Sequence, residues 1–89
     1  MTITSIESML VFTRFRFTKQ SRRHRIGRAH ALAAMRSAGM PVVDERGDLW
    51  WIGADDRGVE LEIVGFVDQN DSTTVVIKHV MPRAFRRKK

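Results

Sequence analysis

Two separated stretches of the sequence hold side-chain types that transfer protons and stabilise phosphate charge. The first is Arg22-Arg23-His24-Arg25, where a histidine is surrounded by arginines. The second contains Lys78, His79 and Arg83, and Glu62 lies on the β-type run before it. Histidine, lysine and glutamate can act as general acids or bases, and arginine stabilises anionic transition states. These stretches are therefore the candidates for chemistry on a phosphodiester.

Cleavage of RNA by its own 2′-hydroxyl fits these groups. It needs a base for the 2′ proton, cations beside the phosphorane and an acid for the 5′ oxygen, and the prediction includes no metal and no cofactor. His79 or Glu62 could be the base, and His24 or Lys78 could be the acid. The predicted catalytic residues are His79, Arg83, Glu62, Lys78 and His24. The predicted RNA-binding residues are Arg22, Arg23, Arg25, Arg28, Arg86 and Arg87.

Structural interpretations of the same residues stay open. His79 could be a half-buried histidine at the end of a strand, and Glu62 could form a weak exposed ion pair with Lys78 across two strands. His30 lies in the middle of an Ala-rich helix, which favours a structural interpretation. The arginines could be a solvated surface followed by a basic tail.

The charge distribution points to a polyanionic partner. Sixteen Lys and Arg against ten Asp and Glu give a net charge of +6. Residues 14–28 carry six Arg and one Lys, residues 83–89 carry five more cations, and neither segment contains an acid. Clustered charge of one sign is typical of a surface for nucleic acid.

Composition and length limit the class of protein. There is no cysteine, which excludes disulfides and thiolate metal sites. No apolar stretch approaches the roughly 20 residues of a membrane span, and residues 1–8 do not read as a signal peptide. We therefore expect a cytoplasmic protein with no membrane association. The expected organisation is a disordered N-terminus at 1–8, one α+β domain at 9–82 and a basic C-terminal tail at 83–89.

The strands that must position these residues follow from periodicity. Runs rich in Val, Ile, Trp and Thr, bounded by Asp, Asn and Gly clusters, predict an antiparallel meander over 49–52, 59–67 and 73–81. Alternation predicts a strand over 9–17, and Val42–Val43 an edge strand. Pairing Ile63 with Ile77 would place Glu62 opposite Lys78 and Leu61 opposite His79. Trp50 and Trp51 point to opposite faces, so one is core and the other could stack on a base or a partner.

Two helices complete the prediction. Thr18 is a candidate N-cap for a short, highly polar helix over 19–25. Arg28–Ala38 is Ala-rich and is followed by Gly39, a typical C-cap. Its apolar stripe, Ala31, Ala34, Met35 and Ala38, implies close packing on the sheet. The expected fold is α+β in the order β-α-α-β-β-β-β, with the N-terminal strand and two short helices packed on an antiparallel sheet.

This order of elements resembles a known family. Residues 17–26, which read Phe-Thr-Lys-Gln-Ser-Arg-Arg-His-Arg-Ile, and the Ala-rich helix after them resemble the start of small actinobacterial toxins of the BrnT branch of the RelE-like superfamily. Trp51-Ile52-Gly53, Leu61-Glu62-Ile63-Val64 and Val80-Met81-Pro82-Arg83 extend the resemblance. In the branch pattern Asn-x-x-Lys-His-Gly, Gln20 stands at the Asn, Arg23 at the Lys and Arg25 at the Gly, while His24 is kept. The chain has no tyrosine, a residue often catalytic in RelE-like enzymes.

The resemblance implies a RelE-like fold and a toxin of a type II toxin–antitoxin system. Such a protein is a metal-independent endoribonuclease that cleaves mRNA, on or off the ribosome, and inhibits translation. Its implied partner is a cognate antitoxin, and the assemblies to consider are a homodimer and a toxin–antitoxin hetero-oligomer. His79, Arg83 and the arginines at 22–25 would line the active surface. The alternatives are a non-catalytic nucleic-acid-binding module and a degenerate toxin that acts through protein–protein contacts.

Overall fold

The computed structural model describes residues 14–87 and has an α+β architecture with a five-stranded mixed sheet and two helices. The predictions for 1–13, a disordered N-terminus and the start of the first strand, fall outside the described residues, as do Lys88 and Lys89. Within 14–87 no helix is long and apolar enough to cross a membrane. The elements are β1 (Arg14–Phe17), a 3-10 helix (Gln20–Arg22), α1 (Arg28–Ala38), β2 (Val42–Val43), β3 (Leu49–Ala54), β4 (Glu60–Asp68), β5 (Asp71–Pro82) and α2 (Arg83–Arg87).

The sheet has the strand order β1-β5-β4-β3-β2. Strands β2 to β5 form the predicted antiparallel meander, but β1 pairs in parallel with β5, with Arg14 beside Thr74 and Phe17 beside Ile77. The prediction of a purely antiparallel sheet is therefore wrong. A parallel pair needs a long crossover connection, which α1 and the meander supply here.

Helix α1 covers one face of the sheet. Its stripe is the predicted one: Ala31, Ala34 and Met35 are buried, and Ala38 packs against the same core. The alanines allow close approach at Gly53, where an added Cβ would lie 2.6 Å from the Ala34 carbonyl oxygen. The sheet contributes Leu49, Trp51, Leu61, Ile63, Val75, Ile77 and Val80 to this core.

The helix predicted over 19–25 is wrong, because only a 3-10 turn forms there. The segment has almost no apolar side chain to pack, and its cations at helical spacing would repel one another. The Thr18 hydroxyl still accepts a hydrogen bond from the Ser21 amide at 3.1 Å, as expected of a cap. Arg25 then adopts a left-handed conformation with φ 57°, which ends the turn.

The register of β4 and β5 also differs from the prediction. Ile63 pairs with Val80 and Val64 with His79, and the register shifts between Val64 and Gly65, which pairs with Ile77. Lys78 is the extra residue of this β-bulge. Two residues of a bulged strand oppose one on the partner strand. As a result, Lys78 and His79 line the same pocket, on the sheet face opposite α1.

Candidate functional site

A pocket of about 330 Å³ lies on the sheet face that α1 leaves open. We call it the open-face pocket. Strands β4 and β5 supply its floor, the turn before β3 supplies one wall, and the 3-10 helix supplies another. Its lining residues are Gln20, Arg46, Asp48, Trp50, Glu62, Val64, Lys78 and His79.

Glu62 and His79 meet in this pocket. The Glu62 side chain is 2% exposed, and its Oε2 lies 3.2 Å from His79 Nε2. This distance is slightly longer than the roughly 2.7–2.9 Å of a charge-assisted hydrogen bond. A carboxylate is costly to bury unless a partner compensates for lost hydration, and the histidine is placed to do so.

Lys78 is not opposite Glu62, which pairs with Met81, so the register behind the suggested cross-strand ion pair is wrong. The Lys78 Nζ lies 2.9 Å from Asp48 Oδ2 and 5.8 Å from the centre of the Phe66 ring. The bulge is the physical reason, because it moves Lys78 out of the regular pairing with β4. The contact with Asp48 holds an ammonium group at the side of the pocket.

His24 lies beside the same pocket although it is far from His79 in sequence. The two ring centroids are 6.4 Å apart, and the Phe85 ring of α2 lies 5.5 Å from His24. Four of the five predicted catalytic residues, His24, Glu62, Lys78 and His79, therefore lie in one neighbourhood. The fifth, Arg83, begins α2 and contacts Glu60 at 3.6 Å outside the pocket lining.

Three of the six predicted RNA-binding arginines lie on a second surface. Arg22, Arg25 and Arg28 line a pocket of about 360 Å³ together with Phe17, Ser21, Ile26 and Gly27. The Arg28 guanidinium lies 5.1 Å from the centre of the Phe17 ring. We call these three residues the arginine cluster. Arg23 is exposed nearby, and the side chains of Arg86 and Arg87 are outside what the structure describes.

The arginine cluster carries uncompensated charge. Among residues 14–87, neither Arg23 nor any member of the cluster lies within ion-pair distance of a carboxylate. The first turn of α1, which starts at the cluster, also contains no acid. A surface of this kind attracts phosphate groups, because an anion can satisfy both the guanidinium groups and the open amides at the start of the helix.

Several pocket residues were not predicted. Asp48 and Arg46 enter from the turn before β3, and Gln20 enters from the 3-10 helix. Alternation predicted that one of the two tryptophans is core without indicating which; the structure buries Trp51 and leaves Trp50 partly exposed. Its indole nitrogen donates to Asp44 Oδ2 at 2.9 Å, and this bond, together with backbone amides, lowers the pKa of Asp44. Glu45-Arg46-Gly47-Asp48 predicts a turn before β3, but a turn signal does not indicate which of its side chains enter a pocket.

His30 lies outside the open-face pocket. Its Nδ1 is 2.6 Å from Asp56 Oδ1 and 4.0 Å from Asp55 Oδ2, which agrees with the structural interpretation. The ligand atoms of this trio lie within 4.8 Å of one another. Both oxygens of Asp55 already accept hydrogen bonds from Arg57 and from backbone amides, which disfavours a cation there.

An apolar groove of about 490 Å³ lies at the β2 edge of the sheet, lined by Ala38, Met40, Val42, Asp44, Trp50 and Ile52. Val42 is 69% exposed and Val43 61% exposed. Exposed apolar side chains at a sheet edge suit contact with another protein better than contact with RNA.

Comparison of the chain with protein families, with curated proteins and with solved structures found no match.

Proposed function

We propose that this chain is a RelE-like toxin of a type II toxin–antitoxin system, a metal-independent endoribonuclease that cleaves mRNA in the cytoplasm. The observation that supports the proposal is that Glu62, Lys78 and His79 line one pocket and that the His24 ring lies 6.4 Å from the His79 ring. These groups come from segments far apart in sequence. The arginine cluster adjoins them through the 3-10 helix, since Gln20 lines one pocket and Arg22 the other.

The groups suffice for transesterification. His79 accepts the proton of the 2′-hydroxyl while that oxygen attacks phosphorus. Lys78, held by Asp48, stabilises the charge that develops on the phosphorane. The bond to the 5′ oxygen breaks, and His24 donates a proton to the leaving oxygen. The products are a 2′,3′-cyclic phosphate and a 5′-hydroxyl, with no net consumption of protons.

Two positions support the family resemblance beyond the order of elements. Gln20, at the place of the family's Asn, lines the open-face pocket. Arg25, at the place of the family's Gly, has φ 57°. Glycine adopts this left-handed conformation readily, whereas other residues adopt it at a cost. A backbone that favours Gly at this position supports the alignment with the family pattern.

The test compares two histidine variants in cells. Induction of the wild type should arrest growth and produce discrete mRNA cuts, read by primer extension. His79→Ala should abolish both, because general acid–base catalysis contributes about 10²–10⁴-fold in rate. His30→Ala is the matched control and should still arrest growth, because His30 contacts Asp56 outside the pocket. Equal toxicity of the two variants, with both folded, would contradict the assignment.

A second candidate is a protein-interaction role, which the apolar groove at β2 favours. Val42 and Val43 are the exposed residues that a partner would cover, and in the proposed system that partner is the antitoxin. A wild type that binds RNA without cutting it would support a binding module. Salt-insensitive binding to a protein, lost in Val42→Asp, without any RNA cleavage would support a degenerate toxin.

A further inference from the structure

We propose that Glu62 is a positioning residue that holds the Nε2 side of the His79 ring, so that Nδ1 is the nitrogen that exchanges a proton with RNA. This inference rests on the proposed function. It assigns different tasks to two residues that were equal candidates for the base. Glu62 acts through His79 and does not touch the substrate.

Burial determines which ring nitrogen of His79 a ligand can reach. Nε2 of His79 is buried and lies 3.2 Å from Glu62 Oε2, while 32% of the side chain as a whole is exposed. A buried nitrogen cannot meet a ligand in the pocket. Since an imidazole has two nitrogens, proton exchange with a ligand falls to Nδ1. Glu62 is itself 2% exposed, so it is poorly placed to reach a 2′-hydroxyl directly.

The β-bulge in β5 determines which face of the sheet His79 occupies. Val64 pairs with His79, and Lys78 is the extra residue of β5. Bulges re-aim side chains, and here the bulge puts His79 on the same face as Glu62. Glu62 lies two residues before Val64 on β4, so the two side chains meet diagonally across the strands. Both residues lie on hydrogen-bonded strands of the sheet, which hold a side chain more rigidly than a loop does.

The charged groups around His79 determine which of them can stabilise its protonated ring. The groups that share its pocket are Glu62 from β4, Lys78 from β5, and Arg46 and Asp48 from the turn before β3. His24 approaches from the segment after the 3-10 helix. Asp48 pairs with Lys78. The carboxylate left to face the imidazole is therefore Glu62, and it stabilises the imidazolium that forms when the 2′ proton arrives at Nδ1.

The first measurement is nuclear magnetic resonance on ¹⁵N-histidine-labelled protein without RNA. A ring proton held on Nε2 by Glu62 should give a downfield signal that exchanges slowly with water. His30→Ala and His79→Ala assign it. Glu62→Gln keeps a hydrogen-bond acceptor and should retain a weaker, less downfield signal. Glu62→Leu keeps the bulk without an acceptor and should lose the signal.

The second measurement is cleavage of a defined mRNA, free and on programmed ribosomes. Glu62→Gln should lower kcat by about 10-fold or more while KM stays within about twofold, since the carboxylate supports proton transfer and not RNA binding. Glu45→Gln is the control. Glu45 is an exposed glutamate in the turn after β2 and lies outside the open-face pocket.

The outcomes separate the two proposals. A protected Nε2 proton together with a loss confined to kcat supports the inference. A protected proton on Nδ1, the absence of a protected proton, or a Glu62→Gln variant with wild-type kcat overturns it even if the wild type cuts RNA. A wild type that shows the Nε2 signal and cuts no RNA overturns the proposed function, and the catalytic role of Glu62 with it.

Discussion

Asp55 lies in the turn between β3 and β4, and its side chain is fully covered. Its oxygens accept hydrogen bonds from the Arg57 side chain and from the amides of Arg57 and Val59. Burial raises the pKa of this carboxyl, but the hydrogen bonds have the larger effect and lower the pKa to about 2. The Asp55 carboxylate is therefore part of the turn, and its hydrogen bonds fix the geometry of the connection between β3 and β4.

A pH dependence follows from Asp55. Because its pKa in the folded protein lies below the ordinary value of 3.8, the carboxylate stabilises the fold above about pH 4. The contribution is lost as the pH falls through about 2. Urea unfolding between pH 5 and pH 2 should show a shallower loss of stability in Asp55→Asn than in the wild type. Glu45→Gln should follow the wild type, and parallel curves for all three proteins would contradict the assignment.

Residue types indicated most of the candidate site, but the contacts between its residues could not be predicted from the sequence. Of the five residues predicted as catalytic, Glu62, Lys78 and His79 line one pocket and His24 lies beside it, whereas Arg83 lies outside the lining. The pairing of Glu62 with Lys78 was wrong because regular alternation cannot place an inserted residue. A signal was present in Gly65, since a lone glycine inside a strand suggests a bulge. An added Cβ at Gly65 would lie 2.6 Å from the Val76 carbonyl oxygen.

The left-handed backbone at Arg25, in the turn after the 3-10 helix, predicts how substitutions there change stability. Arg25 has φ 57°, which costs roughly 1–2 kcal/mol for a residue with a Cβ, and Gly loses part of that gain to its own chain entropy. Arg25→Gly should therefore raise the free energy of unfolding by about 0.5–1 kcal/mol, whereas Arg25→Ala should not.

Both variants remove the same charge from the arginine cluster. They should therefore weaken RNA binding to the same extent while their urea unfolding curves differ. A Gly variant less stable than the Ala variant would show that the backbone at this position does not favour glycine. That result would also remove the support that Arg25 gives to the family alignment.

Elements whose stability is local were predicted best. Helix Arg28–Ala38 begins and ends where alanine content and Gly39 indicate. The helix over 19–25 was wrong, since a cap at Thr18 cannot replace the apolar contacts that the segment lacks. Strand positions were close to the prediction because turn residues bound them, but register depends on contacts between strands and was off.

The charge of the whole molecule predicts how RNA binding depends on salt concentration. With a net charge of +6 and an arginine cluster without carboxylate partners among the described residues, RNA binding should weaken steeply with salt. Each phosphate contact on single-stranded RNA contributes about 0.7 to the slope of log K against log salt. Arg28→Ala should lower that slope by about 0.7 in a binding titration. Arg36→Ala, an exposed arginine in the last turn of α1, should leave it unchanged. Identical slopes for the two variants would contradict the assigned surface.

The topology of the whole sheet was only partly predictable. Alternation and turns are properties of neighbouring residues, and they predicted the meander from β2 to β5. The partner of β1 depends on which sheet edge is open after the meander has formed. The positions of Phe15 and Phe17 indicate which face of β1 is apolar, but they do not indicate which strand lies beside it.

That parallel pair has a consequence for protein synthesis. A ribosome makes β1 long before β5, the strand against which it lies, and the Thr18 amide that leads into the arginine segment donates to the Ile77 carbonyl. A nascent chain therefore carries its arginines on an unanchored segment, and it lacks His79 altogether. The arginine segment and His79 can therefore come together only after β5, Asp71–Pro82, has been translated and has emerged from the ribosome. If the proposed ribonuclease function holds, this order of synthesis delays activity until β5 has been made.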